Sequence, residues 1–295
     1  MPEITIISGK GGTGKTTITG ALAHLARGRH LVCDLDVDAP DLHLLLQPVK
    51  EQTEDFMSGH EAVIDQDKCQ DCGLCAEMCR FNAVKRNQAG PVIDPLACEG
   101  CKVCVHFCPE EAIDFPLSHC GQWYVSQTRF GPMVHAQLFP GQENSGLLVS
   151  LLRQKARDLA QDKEIDLILS DGAPGIGCPV ISSLSGTDLA VLVTEPTPSG
   201  RHDLERVADL CAHFSVPVTV IINKHDLNPA QAQAIKDYCA GRGVEVVAEL
   251  PHDRAVTEAM VQGRVITEFQ QGGTADLIRG AWERIEALAR IKAAA

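Results

Sequence analysis

Two short stretches of the chain carry residues whose types and spacing could do chemistry. The first, "SGKGGTGKTT", sets Gly9, Gly11, Gly12 and Gly14 around Lys10, Thr13 and Lys15 and ends in the hydroxyls of Thr16 and Thr17. Glycines let backbone N–H groups crowd an anion at a helix start, and Lys15 and Thr16 stand where the P-loop motif puts a phosphate-reaching ammonium and a Mg²⁺ ligand. The second stretch runs from Cys69 to Cys108 and holds eight of the thirteen cysteines in the 295 residues. Thiols at that density point to metal binding or redox chemistry.

The elements that must position these groups follow from periodicity. Outside the cysteine-rich stretch, apolar runs alternate with helical segments: "ITIIS", a helix from Thr16, "LVCDLD", then "DLILSD", "LAVLVT", "VPVTVIIN" and "VEVVAEL". That alternation predicts an α/β fold, a doubly wound and mostly parallel sheet wrapped by helices. The glycine-rich loop follows the first apolar run and opens a helix, which is the context a P-loop needs. Asp36 in "CDLDVDAP" and Asp171 in "LILSDGAPG" fall where strands end, the side on which open α/β sheets bind ligands. "GQWYVSQTRFGPMVHAQL" alternates apolar and polar residues around Gly131-Pro132, which predicts a hairpin leading back into the main fold, with Trp123 and Tyr124 as packing residues. Leu277, Ala281, Ile285 and Leu288 recur at helical spacing and predict a closing core helix. Cys33, inside an apolar run, reads as a small apolar residue.

The cysteine-rich stretch is an internal duplication: "VIDQDKCQDCGLCAEMCRFNAV" and "VIDPLACEGCKVCVHFCPEEAI" align with every cysteine matched. Each copy has the C-x₂-C-x₂-C-x₃-C spacing of bacterial two-cluster ferredoxins, with Pro109 after the second run. In that arrangement the fourth cysteine of each run crosses over. The resemblance thus implies one [4Fe–4S] cluster on Cys69, Cys72, Cys75 and Cys108, and another on Cys98, Cys101, Cys104 and Cys79. Arg80 stands where the ferredoxin pattern has proline, which bears on that cluster's potential and exposure. Zinc on CxxC pairs is an alternative that does not explain two matched four-cysteine runs. A disulfide framework is out of place in a reducing compartment. The expected organisation is a P-loop domain over 1–58 and 117–295, interrupted over 59–116 by an α+β ferredoxin-like domain.

Lys10, the extra lysine of "GKGGTGK", resembles the deviant Walker A motif of the MinD/ParA group of ATPases, which includes the nitrogenase iron protein, arsenite-pump ATPases and Mrp-type cluster carriers. With the cysteine insert, nearly the whole chain resembles MinD-superfamily ATPases that carry an inserted ferredoxin domain, some relatives of which resemble subunits of the orange-protein complex. The resemblance implies an ATP-dependent dimer in which Lys10 reaches the partner's nucleotide. It gives Lys15 to the phosphates and Asp36 to the attacking water. Thr16, Asp34 and Asp171 go to Mg²⁺, and Gly175 to the γ-phosphate. For the base, "NKHD" has the form of a guanine-reading motif, yet the MinD group also places an asparagine there against adenine. Asn223, Lys224, Pro251 and Asp253 are therefore expected to hold ATP, with GTP as the alternative. Cys178 follows Asp171 at the interval at which the nitrogenase iron protein carries a cluster ligand shared between subunits; the alternative is a buried packing cysteine.

With 39 acidic against 26 basic residues the net charge is -13, which argues against nucleic acid or an anionic membrane as the main partner. The N-terminal residues lack the basic flank and apolar core of a signal peptide, and no apolar run nears the ~20 residues of a spanning helix, so a cytoplasmic location is expected. His24, His30, His43, His106 and His119 are assigned no role. The expected activity is Mg²⁺-dependent ATP hydrolysis by a homodimer, or a heterodimer with a paralogue. Three uses of it compete: gating electron transfer to a partner metalloprotein, assembling or carrying iron–sulfur or metal clusters, and MinD-like spatial organisation with structural or sensory clusters.

Overall fold

A computed structural model describes residues 1–26, 28, 30–142 and 145–293, with side chains to residue 290. The chain opens with β1 (Glu3–Ser8), α1 (Lys15–Leu25), β2 (His30–Asp34) and the short α2 (Leu42–Leu46), then enters a long strand, β3 (Val49–His60). The cysteine-rich stretch supplies β4 (Val63–Ile64), α3 (Leu74–Met78), β5 (Val84–Asn87), β6 (Gly90–Ile93), α4 (Val103–Phe107) and β7 (Ile113–Asp114). A hairpin of β8 (Leu117–Thr128) and β9 (Gly131–Leu138) follows. The chain then alternates through α5 (Ser145–Asp162), β10 (Leu167–Pro174), α6 (Cys178–Leu184), β11 (Leu189–Thr194), α7 (Pro198–His213), β12 (Val218–Asn223), α8 (Pro229–Gly241) and β13 (Glu245–Leu250). It closes with α9 (Arg254–Val261), α10 (Ile266–Phe269) and α11 (Thr274–Ala293).

Two compact units result: Met1–Glu54 with Trp123–Gln137 and Ser145–Ala295, and Asp55–Gln122 with Leu138–Asn144. The second unit is wider than the duplicated segment because β3 and β8 each run from one unit into the other.

The main sheet has nine strands in the order β13-β12-β11-β1-β10-β2-β9-β8-β3. From β13 to β9 every neighbouring pair is parallel. Period-2 alternation sends side chains to two buried faces, as a parallel sheet with helices on both sides requires. Ile4, Ile6, Val191 and Val193 pack under α1 and α11 on one face, and Ile7, Ala190, Leu192 and Ile222 under α7 and α8 on the other. The β8/β9 hairpin does more than lead back: β9 joins β2 in parallel, Val32 opposite Met133 and Cys33 opposite Val134. Its turn lies two residues earlier than Gly131-Pro132, at Arg129 and Phe130, where the Thr128 hydroxyl accepts the N–H groups of Phe130 and Gly131 at 3.1 and 3.2 Å. The α11 helix does close the core: Ala281 and Ile285 are buried and Leu288 packs against them as expected, joined by Ile278, Trp282 and Ala289, whereas Leu277 is exposed.

The second unit repeats itself in structure as in sequence. Antiparallel pairs β4/β7 and β5/β6 flank the two short helices. Left-handed backbone recurs at matched positions of the duplication: Asp71 (φ 55°) and Gly100 (φ 57°), Gly73 (φ 80°) and Lys102 (φ 64°), Asn82 (φ 52°) and Glu111 (φ 49°). Glycine is the residue that conformation favours, and each copy has it at only one of the three places. The buried apolar cluster here is small, Ala62, Ile64 and Ile113, and cysteines pack against it. A core that small needs a further source of stability.

Candidate nucleotide and cysteine sites

The phosphate loop leaves β1 at Ser8 and enters α1 at Lys15. Gly12 (φ 81°) and Gly14 (φ 91°) hold left-handed conformations, and a Cβ at Gly14 would lie 2.4 Å from the Asn223 amide nitrogen. At Gly11 and Gly12 a Cβ would meet nothing within 4 Å, so the loop's inner side is an open cradle.

Beneath the cradle three carboxylates meet one ammonium. Parallel register sets Asp171 beside Asp34 on β2 and beside Ile6 on β1. Lys15, 6% exposed, places Nζ 3.1 Å from Asp171 and 3.3 Å from Asp36. Burial works against its charge, but Asp171, Asp36 and Asp34 together raise its pKa. Burial lifts the Asp34 carboxyl well above the usual range and the neighbouring Asp171 adds to this, against Lys15. Asp36 is raised by burial, opposed by Lys15. Asp171 accepts from the hydroxyls of Thr16 at 2.7 Å and Thr19 at 2.9 Å. Among the described residues, Thr13 Oγ1 and Asp34 Oδ2 are buried without a hydrogen-bond partner. Hard oxygen donors, one of them unpartnered, beside an open N–H cradle suit a Mg²⁺-bound nucleotide, with Thr16, Asp34 and Asp171 as the residues that would face the ion.

The remaining expected residues divide. Lys10 lies 3.6 Å from Glu195 of its own chain and donates to Thr197 and Ser199 at 3.4 Å. The Asn223 amide donates to the Thr13 carbonyl at 2.8 Å, and Lys224 Nζ lies 3.4 Å from the Gly12 carbonyl. These two expected base contacts thus brace the phosphate loop in this conformation. Asp253 caps α9 through the Ala255 N–H (2.9 Å) and accepts from Thr274 (2.7 Å), so its carboxylate already serves the fold. Pro251 is half-buried where β13 ends. The Gly175 N–H donates to Ser8 O at 2.8 Å rather than standing free. The Thr17 hydroxyl donates to Met260 Sδ of α9 at 3.6 Å. Sequence reasoning missed Thr19, although it lies one helical turn after Lys15 on the same face. It also missed Glu195, which no motif marks.

The eight cysteines ring two pockets in the second unit. Cys69, Cys72, Cys75 and Cys108 line one with Ile64, Pro91 and Ile113. Cys79, Cys98, Cys101 and Cys104 line the other with Ala62, Phe81 and Phe115. Each pocket takes three thiols from one run and the fourth from the other. Both crossing sulfurs accept a backbone N–H, Cys79 from Ala83 at 3.4 Å and Cys108 from Ala112 at 3.3 Å. Burial raises the thiol pKa of Cys75 and Cys104. Among the described residues no three His, Cys, Asp or Glu side chains converge as a single ion requires. Four thiols around an apolar pocket are the donor set an iron–sulfur group takes. Cys178 is exposed at the start of α6, which removes the buried-packing alternative; Cys33, Cys211 and Cys239 are buried.

Comparisons with known proteins bear on both sites. Residues 4–266 match the family described as the CobQ/CobB/MinD/ParA nucleotide binding domain. An uncharacterized protein of Methanocaldococcus jannaschii is 35% identical over 77% of this chain and 79% of its own length. The cytosolic Fe-S cluster assembly factor Nubp1 homolog of Drosophila sechellia is 23% identical over 97% of this chain and 81% of its own. Among solved structures, the cell division ATPase MinD of Pyrococcus furiosus superposes with a TM-score of 0.58 at 19% identity, covering 97% of this chain and 99% of that one. The MinD of Pyrococcus horikoshii, complexed with Mg-ADP, has the same score and identity over 99% and 98%. These two likenesses concern the fold.

Proposed function

The chain belongs to the CobQ/CobB/MinD/ParA nucleotide-binding family, and from that premise we propose that it is an ATPase whose hydrolysis cycle drives iron–sulfur cluster assembly or delivery. The observation that carries this reading is the pair of four-thiol pockets in a chain that also has a phosphate loop over buried carboxylates. The relative named as an Fe-S cluster assembly factor, which this chain matches over nearly its full length, supports the same use.

In this reading Gly9 to Thr17 bind the triphosphate through backbone N–H groups, and Asn223 and Lys224 hold the loop in shape from behind. Thr16, Asp34 and Asp171 hold Mg²⁺, which neutralises phosphate charge when bound. Lys15 exchanges its carboxylate partners for phosphate oxygens, and Asp36, released from it, orients the attacking water. Lys10 adds positive charge where it develops in the transition state, in a dimer with a second copy or a paralogue. The two thiol sets, Cys69, Cys72, Cys75, Cys108 and Cys98, Cys101, Cys104, Cys79, hold one [4Fe–4S] cluster each. No helix among the described residues is long and apolar enough to cross a membrane.

A second reading, electron transfer to a partner metalloprotein, is favoured by the four thiols in each pocket, which leave a resident cluster no open position. One anaerobic experiment separates the two. Protein carrying ⁵⁷Fe is mixed with MgATP and an iron-free ferredoxin, and iron is followed into the acceptor. Nucleotide-dependent loss of iron from the chain supports delivery; iron retained through many turnovers overturns delivery and leaves electron transfer.

A further inference from the structure

Glu195 lies just beyond the end of β11, next to β1 in the sheet, and its side chain is 16% exposed. One carboxylate oxygen accepts from Lys224 Nζ at 2.6 Å. The other lies 3.6 Å from Lys10 Nζ. Lys224 has a left-handed backbone (φ 56°), its N–H donating to Asn223 Oδ1 at 3.0 Å, and its ammonium also reaches the Gly12 carbonyl at 3.4 Å. Since Asn223 meanwhile holds the Thr13 carbonyl, two successive carbonyls of the phosphate loop are held from β12.

With those two carbonyls engaged by side chains, the backbone of the loop is constrained at Gly12 and Thr13. A lysine has a long stem with many rotamers, so an ammonium alone fixes a carbonyl poorly. A short charge-assisted bond to a largely buried carboxylate supplies the missing constraint.

We propose that Glu195 is a positioning residue of the nucleotide site: by anchoring Lys224 it holds the Gly12 carbonyl and keeps the phosphate loop preformed. The proposal rests on the nucleotide reading above and adds the residue that preorganises that site. Glu195 meets the loop at two places: through Lys224, by the short bond, and more weakly through Lys10 of the same loop, at 3.6 Å.

The test is a double-mutant cycle on MgADP affinity by calorimetry, using the full, cluster-loaded chain. Glu195→Ala and Lys224→Ala should each weaken binding about tenfold, the usual scale for a lost charge-assisted hydrogen bond. Together they should cost little more than either alone. Glu195→Gln retains an acceptor for Lys224 and should recover much of the affinity. In turnover, both alanine variants should raise KM more than they lower kcat. Near-additive losses, or wild-type affinity in Glu195→Ala, overturn the proposal while the nucleotide reading stands. A wild-type chain that binds no MgADP overturns both.

Discussion

Replacing Lys15 with methionine removes the one ammonium among the described residues that pairs with Asp36 and Asp171 while keeping a stem of similar length. In the nucleotide-free protein its Nζ is 3.1 Å from Asp171 and 3.3 Å from Asp36, with only 6% of the side chain exposed. At an effective dielectric constant of about 20 each contact represents about 5 kcal/mol of gross attraction. Dehydrating the three ions offsets most of that, so the net cost follows the rule for breaking a buried pair by deleting one partner, about 3–5 kcal/mol. For a folding unit of this size that corresponds to a fall of about 10 °C in Tm. Asp36→Asn on the Lys15→Met background removes one stranded carboxylate and should restore about half of the loss. Thermal unfolding in EDTA without nucleotide, followed by circular dichroism, measures both. An unchanged Tm in Lys15→Met, or a double variant no more stable than the single, would refute the claim that this lysine compensates buried carboxylates.

Lys10→Ala should lower kcat by at least about tenfold and leave MgATP affinity within about threefold, because its charge is needed mainly in the transition state; steady-state turnover beside equilibrium binding checks this. Exchange of the crossing thiols should show across the duplication: Cys108→Ser should alter the electron paramagnetic resonance signal of the cluster on Cys69, Cys72 and Cys75, and Cys79→Ser that of the other cluster. His135, 5% exposed and 2.9 Å from the Ser126 hydroxyl, has its pKa lowered by burial from 6.5 to about 4. The unfolded chain takes up that proton first as pH falls, so His135 should stabilise fully above pH 6.5 and withdraw up to about 3 kcal/mol by pH 4; urea titrations of His135→Gln should show a shallower decline. Iodoacetamide should label the exposed Cys178 in the folded protein ahead of the buried Cys33, Cys211 and Cys239, as peptide mass mapping would show.

The parallel sheet was legible because its strands are buried on both faces and read as unbroken apolar runs. The loop was legible because left-handed backbone at Gly12 and Gly14 demands the residue that writes the motif. The parallel joining of β9 to β2 was not legible: alternation marks a strand and cannot name its neighbour. Nor could letters show what a side chain is already doing. Asp253 and Asn223 stand where base contacts were expected, yet one caps α9 and the other braces the loop. Glu195 escaped because its role depends on β11, β1 and β12 meeting side by side, a fact of topology and not of spacing. The crossing of the cysteine runs came from resemblance, and the pockets group the same thiols.

Both sites are built from choices that a fold selected for stability alone would avoid. Asp34, Asp36 and Asp171 crowd three carboxylates onto one lysine, and Asp34 Oδ2 is buried without a partner among the described residues. In the second unit, Cys72 and Cys101 are exposed although free cysteine is among the most buried residue types. Lys102 holds a left-handed backbone in which its counterpart is Gly73. Each of these departures lies within a few residues of a predicted ligand. Local cost concentrated where chemistry is expected, over an otherwise consistent fold, is how a working site differs from accidental clustering of polar residues. By that criterion the carboxylates beneath the phosphate loop and the two thiol pockets are the candidate sites, which is why the proposed function draws on both.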